Sequence, residues 1–192
     1  MKILKLSLAS IAVSTTLFAG NYNVDASHTN AGFTVKHMMI TNVTGKFNDI
    51  AGTFEFDEKT NTLKSINGEI IVASINTANE KRDEHLKAED MFDVAKFQKI
   101  TFKSTKIEGN GSEYEITGDL TIKGITKPVT LNAEFSGLMT DPWGNTKVGL
   151  NLDGKINRKD FGLTYNAALE TGGVLVGEDV KLNAEIQLVE QK

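Results

Sequence analysis

The sequence predicts an all-β, antiparallel domain, on three observations: long stretches of alternating apolar and polar residues, turn-forming residues between them, and only one stretch composed like a helix. The clearest strand is 114–122, where Tyr114, Ile116, Gly118, Leu120 and Ile122 share one face and Glu115, Thr117, Asp119 and Thr121 the other. Such a strand buries one face and wets the other. The same alternation covers 129–135, 148–156 and 180–188, and in the last Val180, Leu182, Ala184, Ile186 and Leu188 must point one way. Earlier candidates are 22–26, 32–37, 41–47, 52–56, 63–75 and 100–107, so roughly eight to ten strands are expected. Segments 57–61, 109–112 and 141–145 carry the turn residues.

The helical stretch is 79–90. Thr77 followed by Glu80 reads as a capping box, and Asp83 and Lys87 are spaced to pair on one face. One short charged helix is expected there, covering an end of the sheet rather than separating domains. Long strands with one polar face either close into a barrel or stack as a two-sheet sandwich, and closure removes exposed edges. Gly118, Ala133, Gly154 and Ala184 are small residues at inward positions. They suit a central cavity and equally suit the taper of a filled barrel.

Residues 1–19 read as an export signal: Lys2 and Lys5 supply charge, Leu6 to Phe18 are apolar or small, and Ala19 offers a cleavage point. That run of 13 residues is short for a membrane span, which needs about 20, and no later segment comes close. The folded domain is therefore expected at 20–192. Loss of Lys2 and Lys5 takes the formal charge from −4 to −6, which argues against nucleic acid as a partner. The absence of cysteine excludes disulfides, thiol catalysis, cysteine zinc sites and a lipoprotein anchor.

Ten aromatic residues are Phe, against three Tyr and one Trp, so the interior favours rings without hydroxyls. Phe33, Phe47, Phe54, Phe92 and Phe102 are candidates to line a pocket, with Gly118 and Ala184 leaving room; Phe161 reads as core. His37 ends an apolar strand and is placed to meet a ligand's polar head. Arg82, Asp83 and His85 lie near the start of the helix, where free N–H groups and the dipole favour an anion or a carbonyl oxygen. The same three suit a solvated charged face, with Asp83 paired to Lys87 or Arg82. The histidines His28, His37 and His85 show no metal-ligand spacing and are read as structural. Asp83, Glu84, Glu89 and Asp90 offer carboxylates but no placed nucleophile or partner.

Four blocks in order resemble the YceI-like family: Asp25, His28, Phe33, Val35, His37, Gly45 and Phe47; Arg82, Asp83, His85, Leu86 and Phe92 followed by Phe97, Ile100, Thr101 and Phe102; Gly118 to Gly124 with Thr126, Lys127 and Pro128; and Arg158, Asp160, Phe161 and Gly162. Two positions depart from the family pattern. Gln98 stands where proline usually follows Phe97, and Thr29 stands for serine. The resemblance implies a lipocalin-like antiparallel barrel of eight strands, exported to the periplasm, holding a long-chain polyisoprenoid or fatty-acid-like lipid. No cofactor is expected beyond that lipid, no catalytic residues and no metal; pairing of two barrels as a homodimer is left open. Two alternatives stand beside the carrier: an enzyme using His37 or His85 with a carboxylate, and a filled β-sandwich serving protein contacts.

Overall fold

The computed structural model describes residues 20–57, 59–60, 62–170 and 172–191, so the expected export segment lies outside the described residues. Eleven strands follow the sequence: β1 Gly20–Val24, β2 Asn30–His37, β3 Thr41–Phe47, β4 Ile50–Asp57, β5 Thr62–Ile71, β6 Ile75–Asn76, β7 Lys99–Asn110, β8 Glu113–Ile122, β9 Ile125–Thr140, β10 Thr146–Asn157 and β11 Val176–Glu190. One helix, α1, spans Glu80–Lys87. Every pairing between strands is antiparallel, and β1 pairs with both β4 and β11. That double pairing closes β1, β4, β5, β7, β8, β9, β10 and β11 into an eight-stranded barrel and excludes the sandwich. The remaining strands, β2, β3 and β6, extend the wall beyond β11 at one end.

Two expected strands are broken. The segment expected as 63–75 is interrupted by a 3-10 turn at Val72–Ser74, where the Ser74 hydroxyl donates to Ile71 O (2.6 Å) and accepts from Asn48 N and Asp49 N. The first strand ends at Val24 because Asp25 organises a corner. Its carboxylate accepts from Ser27 N, Ser27 Oγ (2.6 Å) and Gln187 Nε2 (3.0 Å) and meets Lys147 Nζ (3.1 Å) and His28 Nδ1 (3.0 Å). Beyond this corner the chain continues as β2 along the same edge of β11.

The turns follow their residue chemistry. Asp57 accepts from Lys59 N and Thr60 N, and Asp141 from Trp143 N and Asn145 N. The interior splits into two clusters. Tyr22, Phe56, Ile116 and Leu188 are completely buried and fill one end with Tyr114 and Val148. Phe47, Ile75, Ile122, Ile156 and Phe161 occupy the other end, beneath α1.

The helix differs from expectation at both ends. It begins after Asn79, whose Oδ1 accepts from Arg82 N (3.0 Å), and it stops at Lys87 rather than Asp90. Thr77 is buried and does not cap it. Instead Thr77 N and Oγ1 donate to Asp83 Oδ1 (2.9 and 2.5 Å), while Arg82 Nε donates to Thr77 Oγ1 (2.8 Å) and Nη2 to Thr77 O (2.9 Å). With Asp83 committed to Thr77, Lys87 pairs with Glu84 (3.0 Å).

Candidate functional site: an apolar cavity inside the barrel

Alternation places one face of each strand inside, and between the two packed clusters those faces do not fill the space. A cavity of about 260 Å³ remains, and almost no polar atom is exposed within it. From β11 come Val180, Leu182, Ala184 and Ile186; from β4 and β5 come Phe54, Ile66, Gly68 and Ile70; from β7 and β8 come Ile100, Phe102, Leu120 and Ile122. Leu86 of α1 and Met91 and Phe92 beyond it cover one end. The opposite end is closed by the Tyr22, Phe56 and Leu188 cluster, none of which lines the cavity.

Six of the expected site residues meet here: Phe33, Phe47, Phe54, Phe92, Phe102 and Ala184. Three of their rings form a contiguous row under the helix, Phe33 to Phe47 at 5.8 Å between centroids and Phe47 to Phe92 at 6.2 Å. The other five lie elsewhere. Arg82 and Asp83 grip Thr77. His85 Nε2 meets Asp90 Oδ2 (2.9 Å), which holds the Asp90 carboxyl below its ordinary range, and its ring stands edge-on to Tyr165 (4.8 Å). His37 sits at the end of β2, paired with Thr41 and Val176. Gly118 faces inward but not onto the cavity: a Cβ there would lie 2.4 Å from Phe102 Cζ and 2.6 Å from Lys103 O.

Three contributions escaped the sequence reading. Gly68 borders the cavity with nothing within 4 Å of where its Cβ would be. Its place between Ile66 and Ile70 was the signal for its facing. Leu86 carried no such signal, because a charged eight-residue helix with no buried residue does not announce an inward edge, and Met91 lies in the turn beyond it, outside any alternating strand. The third is Arg158, at the start of a 3-10 turn Arg158–Phe161 and only 4% exposed. Its guanidinium donates to Gly177 O (2.8 Å), Val176 O (3.2 Å) and Leu163 O, so its nitrogens are spent on backbone and its stem lies against the cavity. Burial lowers its pKa, opposed by the nearby Glu178 carboxylate.

One arrangement on the outer corner has hydrolase residue types without hydrolase geometry. Ser27 Oγ and Asp25 Oδ2 both lie 3.0 Å from the same nitrogen of His28, Nδ1. A relay needs the nucleophile on the nitrogen opposite the carboxylate.

A closed eight-stranded barrel, packed at one end, helix-covered at the other and apolar within, defines the class of small β-barrels that enclose a hydrophobic internal cavity. The chain belongs to the YceI-like family, whose sequence model matches residues 22–188. Protein YceI of Salmonella newport is 36% identical over 193 residues, covering 99% of this chain and 98% of that protein. Among solved structures, the Campylobacter jejuni YceI protein superposes with a TM-score of 0.72 at 31% identity, covering both chains completely. A polyisoprenoid binding domain from Saccharophagus degradans, implicated in plant cell wall breakdown, shares the fold at a TM-score of 0.64 and 13% identity, covering 91% of this chain and all of that one.

Proposed function

We propose that this protein binds one long-chain lipid of isoprenoid type in the barrel interior and carries it, unchanged, in the periplasm. The observation that carries the reading is the cavity inside the barrel, whose exposed lining surface is almost wholly apolar. Burial contributes about 0.8 kcal/mol per CH₂, so the roughly ten carbons that a cavity of about 260 Å³ holds supply roughly 8 kcal/mol, above the lower end of the about 4–15 kcal/mol lost in association and ordering. Hydrocarbon alone can thus give useful affinity. An unbranched fatty acid would gain the same per carbon, but the row of Phe33, Phe47 and Phe92 offers broad ring faces to a methyl-branched chain. The neighbour described as polyisoprenoid binding supports that choice of lipid. The charged amino-terminal run supports export.

Protein purified from its own host, denatured and extracted, should release a polyprenyl lipid that mass spectrometry identifies at about one per chain. A chain that emerges empty from its host and takes up no isoprenoid afterwards contradicts the proposal. Conversion of the added lipid to a new product would move the protein to the enzymes.

A further inference from the structure

The hairpin between β2 and β3 turns through residues 37–40, closed by Ile40 N donating to His37 O (3.2 Å). Its central residues, Met38 and Met39, have φ of +50° and +64°. Left-handed backbone at both positions is what Asn-Gly adopts easily, and methionine there is strained. Core packing does not account for the methionines. Met38 is 42% exposed, Met39 56% and Ile40 77%, three consecutive large apolar side chains standing in water. The tip is nonetheless held: Met38 N donates to Leu175 O (2.8 Å), and Met39 Cγ lies 3.3 Å from where a Cβ on Gly173 would be.

The tip's position follows from register. Val35 pairs with Val43 and with Val180, His37 pairs with Val176, and Val35, Val176 and Val180 all line the cavity. Met38 to Ile40 therefore continue the apolar wall outward, at the helix-covered end and away from the packed one.

We propose that Met38, Met39 and Ile40 form a knuckle that enters a lipid bilayer surface, where the cavity takes up and releases its lipid. This rests on the cavity's reading as a lipid site. A long isoprenoid has almost no free concentration in water, so exchange must occur where the cavity's end meets an apolar phase. A bilayer fits the patch better than a protein does. The three side chains offer a few hundred Å² at most, whereas each partner in a standard stable interface contributes about 800 Å². A bilayer demands no matching shape, only apolar burial beside water-facing groups. With a formal charge of −4 on the whole chain, attraction to anionic headgroups adds nothing general, and docking is brief, as a carrier requires.

The other exposed apolar tip supplies an internal control. Trp143 (81% exposed) and Met139 (75%) lie on the hairpin between β9 and β10, beyond Val148 at the packed end. The mature chain is mixed with phosphatidylcholine vesicles bearing brominated acyl chains, which quench indoles that enter the bilayer. Ile40→Trp in a Trp143→Phe background should lose at least half its fluorescence, and native Trp143 should lose none. In parallel, transfer of a fluorescent long-chain isoprenoid from vesicles should slow at least tenfold in Met39→Asp and in Ile40→Asp, while both bind water-soluble geraniol as the wild type does. Quenching of Trp143 instead of the position-40 indole, shielding of that indole by a second copy or another protein without quenching, or unchanged transfer in both Asp variants would overturn the proposal. Failure of the wild type to bind geraniol, with quenching at position 40 retained, would overturn the cavity reading and the transfer role with it, while leaving the membrane contact standing.

Discussion

Gly68 on β5 and Gly118 on β8 both point inward in alternating strands, and they do opposite things. At Gly118 the space a side chain would take is filled by the edge of the Phe102 ring, whereas at Gly68 it is cavity. Alternation reveals which way a residue faces and says nothing of what stands opposite. The same limit holds for the aromatics: Phe56 stacks on Phe135 at 5.1 Å inside the packed end, while Phe33 and Phe47 border open space. Gly118→Ala should therefore cost about 1–3 kcal/mol of stability in denaturant titration, through overpacking against Phe102 and the Lys103 carbonyl. Gly68→Leu and Ala184→Leu should change apo stability by less than about 1 kcal/mol, because the added atoms enter space already empty. Each should cut the amount of lipid bound, read by native mass spectrometry. Asp25 behaves differently again, for its hydrogen bonds with Ser27, His28, Lys147 and Gln187 hold its carboxyl well below the usual carboxylate range. A depressed folded pKa stabilises the fold above the unfolded value, near 3.9, and that contribution is lost as pH falls through the folded one. Asp25→Asn should thus cost about 1–3 kcal/mol at neutral pH. The difference from wild type should shrink steadily in titrations carried below about pH 4.

Among the elements, α1 was legible as a helix and as a cover over one end of the sheet, while the way it is fastened there was not. Its charged composition, with Asn79 ahead of it, marked where it would start to within a few residues. Its attachment depends on Thr77, which the sequence offered as a cap and the fold uses as a clamp for Arg82 and Asp83. A capping box and a buried clamp use the same residue types at similar spacing, so only the path of the preceding strand decides between them. Thr77→Val keeps the shape and removes the hydroxyl, leaving Arg82 Nε without its acceptor and Asp83 Oδ1 with the Thr77 N–H alone. The expected cost is about 1–3 kcal/mol. Hydrogen exchange should rise mainly in residues 80–97, because those form the cover and few of their side chains reach the core. Bound lipid should then leave faster. Uniformly raised exchange around the whole barrel would show instead that α1 is integral to the wall.

At the scale of the whole molecule, closure makes the cavity possible and asymmetry makes it useful. Strands of ten to sixteen residues, β7 to β11 with β5, make the barrel longer than its two packed clusters can fill. A barrel or sandwich was all that period-2 alternation allowed; the ring closed by β1 depends on the Asp25 corner, a tertiary arrangement among residues 122 and 162 positions apart in sequence. The central claim, that hydrocarbon burial rather than head-group recognition drives binding, is tested most directly by affinities for isoprenoid alcohols of increasing length. Each added isoprene unit buries carbon at about 0.8 kcal/mol per CH₂. Dissociation constants for wild type should therefore fall at least tenfold per unit until the cavity is full and then level off, and in Gly68→Leu they should level off at a shorter chain. Affinity that ignores chain length, or changes only when the hydroxyl is replaced by another head group, would contradict it.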